Sequence, residues 1–179
     1  MCKFESLKNN IQFKYPIKVG VSWKTKGVDT GDIRSINFKE IIGIFKNHNI
    51  SIINLQYGNI DEETSFLDNN ENYEFINYKA IDNFYDIDGL SCLMECCDLI
   101  ITVDNVTAHL AGALGKNTWV LLPSYCDFRW SQKISECLWY KNTKLFRQES
   151  INNWDSVIFS VKEALNDFIE IKSQRVLKN

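Results

Sequence analysis

Two prolines and eight glycines in 179 residues leave no stretch that reads as a long flexible linker. One domain is expected over residues 1–179, with its core in 17–171. Gly-x-Gly-x-x-Gly and Gly-x-x-x-x-Gly-Lys-Ser/Thr are both missing, which excludes the dinucleotide and P-loop fingerprints. No Gly-x-Ser-x-Gly elbow and no pair of carboxylates at acid/base spacing occurs. The six cysteines form no Cys-x-x-Cys, and Cys92, Cys96 and Cys97 fall on an expected helix without a companion histidine. No metal site is expected, and buried reduced thiols fit better. No apolar leader or membrane-length run is present, so the expectation is a cytoplasmic chain without a membrane span. A net charge of −3 gives no general nucleic-acid surface. Of two histidines, His48 falls at a helix end and reads as surface, which leaves His109 as the one with a chemical reading.

What is present is the make-up of an ordinary globular domain: 45% hydrophobic, 13% aromatic and 24% charged residues. Apolar runs at 17–23, 50–56, 73–78, 99–103, 118–122 and 144–147 read as strands. Helical periodicity fills 38–46, 86–97, 106–114 and 153–171, with Asn37, Asp86 or Asp88, and Asn153 placed as caps. Residues 1–15 read as a lead-in or helix, 24–35 as a polar loop, 58–72 as an acidic loop with room for a short helix, and 124–142 as irregular. Strands alternating with helices predict an α/β, Rossmann-like open parallel sheet covered on both faces.

The segment 99–123 carries most information. An apolar, β-branched-rich run, Leu99–Val103, reads as a strand and ends at Asp104, Asn105, Val106, Thr107 and Ala108, and His109 falls in the first turn of the next helix. Ala111, Gly112 and Ala113 are expected to let that helix press on the sheet. Ligands of such sheets bind at the carboxyl ends of strands, and a helix N-terminus there suits a phosphate. The plainer reading makes Asp104 and Thr107 caps and His109 a core histidine. Three further loops leave strand ends. Ser22, Trp23, Lys24, Lys26 and Arg34 offer hydroxyls and cations for a pyrophosphate, or a solvated loop in which Arg34 braces a helix. Gln56 and Glu62 offer hydrogen bonds to a ribose, or an exposed acidic turn. Asp86 and Asp88 cap a helix or line a base pocket. Beyond 123, Arg129 is the candidate ligand, while Trp130, Trp139 and Tyr140 are mostly expected to be buried as a satellite cluster.

In order and spacing, these pieces resemble glycosyltransferase family 9, the heptosyltransferase-like enzymes, and resemble still more the glycosyltransferase half of related tetratricopeptide-repeat proteins. The matching pieces are Gly20-Val-Ser-Trp23, Arg34-Ser35, Leu55-Gln-Tyr-Gly58, Asp86-x-Asp88, 99–123, Asp127-Phe-Arg-Trp130, Trp139-Tyr140, Leu145-Phe-Arg-Gln148 and Asn153-Trp154, within 17–165. The resemblance implies one half of a two-domain GT-B enzyme, equivalent to its C-terminal, donor-binding domain. It implies that Asp104 to His109 meets the pyrophosphate and ribose of a nucleoside diphosphate sugar, that the Ser22–Lys26 loop meets phosphate, and that Glu62 meets ribose, without a metal or other cofactor. His109 and Lys26 are the expected catalytic residues. Ser22, Trp23, Lys24, Gln56, Glu62, Asp88, Asp104, Asn105, Val106, Thr107, Ala108 and Arg129 are the expected donor ligands. Asn105 departs from the family's usual Thr. The N-terminal acceptor domain, which carries the general base, is missing from the resemblance, so a separate acceptor or tetratricopeptide-repeat domain is an expected partner and self-association stays open. Two rivals stand beside this reading. One is a non-catalytic nucleotide-binding or interaction module. The other is a nucleotide-sugar epimerase, which needs a carboxylate pair the chain does not offer.

Overall fold

The computed structural model describes residue 7 and residues 11–27, 30–67, 72–131 and 136–176. Most of the 1–15 lead-in lies outside them, as do 28–29 of the first polar loop and 68–71 of the acidic one. Strands β1 (Ile17–Ser22), β2 (Ile50–Asn54), β3 (Tyr73–Ile76), β4 (Leu99–Val103), β5 (Thr118–Leu122) and β6 (Thr143–Arg147) form one sheet. Every neighbouring pair is parallel, in the order β3-β2-β1-β4-β5-β6. This is the α/β Rossmann-like sheet expected from the alternation of elements. The helices are α1 (Gly31–Arg34), α2 (Phe38–Gly43), α3 (Asp61–Thr64), α4 (Ile87–Glu95), α5 (Val106–Ala113) and α6 (Asp155–Val176).

The physical reason for a two-sided sheet is visible in its strands. All residues of β2, β4 and β5 are buried, the polar Ser51, Asn54, Thr102 and Thr118 included, as near-continuous apolar strands are when both faces of the sheet are covered. One face sets Val19, Val21, Ile52, Ile101 and Leu121 against Phe38, Ile41 and Ile42 of α2 and Val157, Val161 and Leu165 of α6. The other sets Ile53 and Ile100 against Leu90, Leu93 and Met94 of α4 and Ala111 of α5. A third cluster lies beside it, where Ala108 meets Val120, Leu122 and the fully buried Trp130.

Caps fall where side-chain chemistry directs them. Asn37 accepts from the N–H of Lys39, and Asp86, rather than Asp88, accepts from Gly89. Asn153 accepts from the N–H of Asp155. At the end of α5, Gly115 takes φ +68°, a turn that a residue with a Cβ adopts at a cost.

Several expectations need correction. The polar loop 24–35 contains α1. Helix α2 stops at Gly43 instead of reaching 46, and α6 continues past 171 to Val176. The irregular segment 124–142 contains a 3-10 turn, Phe128–Trp130. Only Ala111 of the small trio presses inward. Ala113 is exposed, and a Cβ on Gly112 would meet the ring of Tyr140 at 2.5 Å, so that glycine makes room for a loop side chain.

Candidate functional site

From β1 the chain works outward to β3, then crosses back to β4 on the other side. The reversal opens a crevice at the carboxyl ends of β1 and β4, the position where open α/β sheets bind ligands. Polar residues end these strands, and they hold one another. Asn105 Nδ2 donates to Ser22 Oγ at 2.8 Å and to the Lys24 carbonyl at 3.3 Å, while Thr102 Oγ1 donates to Asn105 Oδ1 at 3.1 Å. Gln56 Oε1 accepts from Ser22 Oγ at 3.0 Å and from the N–H groups of Trp23 and Lys24, each at 2.9 Å. Ser22, Gln56 and Asn105 are all buried. Three expected donor ligands therefore form a tie across the ends of β1, β2 and β4, and their side chains point at each other. Asparagine at 105 supplies both a donor and an acceptor to that tie; threonine has a shorter reach.

Helix α5 begins directly on this tie. Asn105 is its N-cap by position, yet its side chain makes no cap hydrogen bond. The first-turn amides thus lack the side-chain acceptor that Asn or Asp usually supplies. Val106 is 63% exposed beside them, while Thr107 and Ala108 are buried, and the Ala108 N–H already donates to Asn105 O at 3.2 Å. Asp104 is no cap either. One carboxylate oxygen accepts from Trp130 Nε1 at 2.8 Å, and the other pairs with Arg34 Nη1 at 3.4 Å. Arg34 also reaches the Asp104 carbonyl at 3.3 Å. A guanidinium is therefore held at the entrance to a helix N-terminus.

His109 stacks on Trp130, ring centroids 4.8 Å apart and 20° from parallel, and its Nδ1 shares a 3.2 Å hydrogen bond with the Tyr140 hydroxyl. Burial, then the charge of Arg129, holds its pKa below the ordinary imidazole value, against the opposing pull of Asp104 and Asp127. A neutral imidazole is the expected form at pH 7. Arg129 is exposed and pairs with Asp127 at 2.8 Å.

The remaining expected residues lie elsewhere along the edge. Lys26 lines a cleft of about 680 Å³ with Tyr57, Phe84, Tyr85 and Lys79, while His109 lines a separate hollow of about 190 Å³ with Phe128, Arg129, Trp139 and Tyr140. The two residues expected to be catalytic are thus not brought to one depression. Lys24 is ion-paired with Glu63, which also accepts from the Trp23 indole at 2.7 Å. Glu62, exposed, borders a third hollow with Trp23 and Lys24. Asp88 is exposed in the first turn of α4. Of the aromatic loop, Trp130 is buried as expected, but Trp139 is exposed, which corrects the satellite-cluster reading for that residue.

Sequence reasoning offered Arg34 as a strand-end cation or a helix brace without pairing it with Asp104, and kept Glu63 and Tyr140 out of the expected ligands. Arg34 carried a usable signal, since it leaves the same strand-end loop as Lys24. Its partner lies 70 residues away, which no spacing rule reveals.

No protein-family model matches the chain. Protein FlbA of Caulobacter vibrioides is 29% identical over 153 residues, covering 84% of this chain and 25% of that protein. Among solved structures, the E. coli ADP-heptose LPS heptosyltransferase II superposes with a TM-score of 0.62 at 14% identity, over 95% of this chain and 51% of that one. The glycosyl transferase family 9 structure from Veillonella parvula gives 0.53 at 11% identity, over 92% and 42%. E. coli heptosyltransferase WaaC with ADP gives 0.51 at 14% identity, over 93% and 48%. The chain thus spans about a quarter of the curated relative and between 42% and 51% of each of these solved structures. At these identities the likeness establishes the fold, a Rossmann-like sheet of the kind found in GT-B glycosyltransferases of family 9.

Proposed function

We propose that this chain is the donor-binding portion of a glycosyltransferase and holds a nucleoside diphosphate sugar across the ends of β1 and β4. The observation that carries the reading is the start of α5: a helix N-terminus without a side-chain cap, at the switch point of the sheet, with Arg34 held beside it by Asp104. First-turn amides and a guanidinium are the groups that bind a pyrophosphate and stabilise the charge that grows as it leaves. They supply that stabilisation without a metal. The wider cleft over β2 and β3, walled by Tyr57, Phe84 and Tyr85, offers aromatic faces to a base. Lys26 lines this cleft and Glu62 borders the hollow beside Trp23 and Lys24, positions from which they would meet phosphate and ribose. His109, neutral and fixed between Trp130 and Tyr140, orients a ligand and does not titrate at pH 7.

Transfer also needs a base to deprotonate the acceptor hydroxyl. In the family resembled, that base stands on a facing domain, so the chain by itself is proposed to bind the donor and transfer poorly. One observation favours a second reading, a nucleotide-binding module without transfer: Ser22, Gln56 and Asn105 satisfy each other, and Lys24 is paired with Glu63.

Calorimetry with ADP, UDP, GDP and CDP, in Mg²⁺ and in EDTA, tests the proposal. One diphosphate should bind equally in both, and should raise the thermal midpoint by mass action. Absence of binding by all four from a folded sample overturns it.

A further inference from the structure

The hollow beside α5 has features that pyrophosphate binding does not explain. Phe128 is 81% exposed and Trp139 66% exposed, although aromatic surface of this size is normally removed from water. Both line the same hollow of about 190 Å³, with His109 and Tyr140 as its remaining aromatic lining. That volume is below the roughly 300–1,000 Å³ of pockets for drug-sized molecules, and suits a single ring.

The aromatics are also held in place. Tyr140 lies against Gly112, where any Cβ would strike its ring, and bonds to His109. Arg147, the last residue of β6, donates to the Trp130 carbonyl at 3.2 Å and so fixes the turn that carries Phe128. The charge at the rim is internally balanced, because Arg129 bonds to Asp127 through its Nε and its backbone N–H. The hollow therefore combines exposed ring faces with a neutral pair of hydrogen-bonding groups.

We propose that Phe128, Arg129, Trp139 and Tyr140 form a saccharide subsite that takes the neutral pyranose of the donor. This rests on the preceding reading of α5 as the pyrophosphate site. Strand order gives the direction: the aromatic cleft for a base lies over β2 and β3, α5 starts after β4, and this hollow is built from α5 and the loop after β5. A nucleoside diphosphate sugar laid along that edge places its sugar beyond the pyrophosphate, at Trp139. Pyranose C–H groups are weakly positive and meet the negative face of an aromatic ring. Asp127 and Arg129 meet its hydroxyls.

The test measures affinity of the whole chain for the tightest-binding diphosphate and for its glucose, galactose, mannose and N-acetylglucosamine conjugates. One conjugate should bind more tightly than the bare diphosphate and should quench Trp139. Trp139→Ala and Phe128→Ala should each lower affinity for that conjugate by about threefold to tenfold, leave the bare diphosphate unchanged, and Trp139→Phe should keep most of the increment. Equal losses for diphosphate and conjugate would overturn the subsite, as would no conjugate binding more tightly. Unchanged affinity for the conjugate in both Trp139→Ala and Phe128→Ala would overturn the assignment of this hollow to the donor. If no diphosphate binds, the pyrophosphate reading itself fails, and the subsite falls with it.

Discussion

Gln56 Oε1 accepts from the backbone N–H of Trp23 at 2.9 Å, fixing the exit of β1 to the exit of β2 through one side-chain oxygen. The same oxygen accepts from Ser22 Oγ and the Lys24 N–H, and Asn105 extends the contact to β4. The crevice thus rests on an internally satisfied polar tie, and the groups left to meet a ligand are backbone amides and longer side chains around it.

The tie sets the first prediction. Gln56→Ala leaves two amides and a hydroxyl without their acceptor in a buried place, which costs about 1–3 kcal/mol. Urea unfolding should show the midpoint falling with the slope unchanged. A midpoint equal to that of the parent chain would mean that water replaces the side chain without loss.

Gly112 gives a prediction whose sign is opposite to habit. Gly→Ala within a helix ordinarily stabilises by about 0.5–1 kcal/mol. Here the new methyl would lie 2.5–2.8 Å from three ring atoms of Tyr140, so Gly112→Ala should destabilise by about 1–3 kcal/mol and release the His109–Tyr140 bond. A rise in thermal midpoint would refute the packing described.

How much of this was legible in the sequence differs by residue. Strands β4 and β5 fall on 99–103 and 118–122 as read, because a strand covered on both faces is a near-continuous apolar run. Helix α1 was missed because four residues inside a polar, glycine-bearing loop carry no period. The small residues of α5 announced a close approach but not its direction, so Gly112 was assigned to the sheet and serves Tyr140. Lys26 and His109 were grouped because both follow strands at one edge. Edge position does not fix how far apart two loops stand along it.

Protonation of the histidines predicts how stability depends on pH. His109 is held below the ordinary imidazole pKa by burial and Arg129, and His48 likewise by burial and Lys162. In both cases the folded state binds protons less readily than the unfolded chain, whose histidines titrate near about 6.5. The stabilisation is present in full above that pH and is lost as pH falls through it to the lowered values of the folded state. Urea midpoints should therefore drop between about pH 7 and 5. His48→Gln together with His109→Gln should flatten that drop, and NMR titration should place both imidazoles below the free value. An unchanged slope in the double variant would refute the assignment to the histidines, because Asp98 and Asp127, which titrate low in the folded chain, keep their contribution until the pH falls below about 5.

Arg34 separates support from binding. Its guanidinium pairs with Asp104, whose side chain is 3% exposed, so Arg34→Ala leaves a buried carboxylate with Trp130 Nε1 as its remaining described partner. Stability should fall for that reason alone. If Arg34 also faces the pyrophosphate, diphosphate affinity should fall by about tenfold or more. Arg34→Lys should not restore it, because an ammonium cannot hold Asp104 and a phosphate in one planar fork. The double variant Arg34→Ala with Asp104→Asn resolves the two effects. Removing the buried charge should recover stability, while affinity should stay low because no cation has been returned to the helix entrance. Recovery of both would make Arg34 a brace for Asp104 and nothing more.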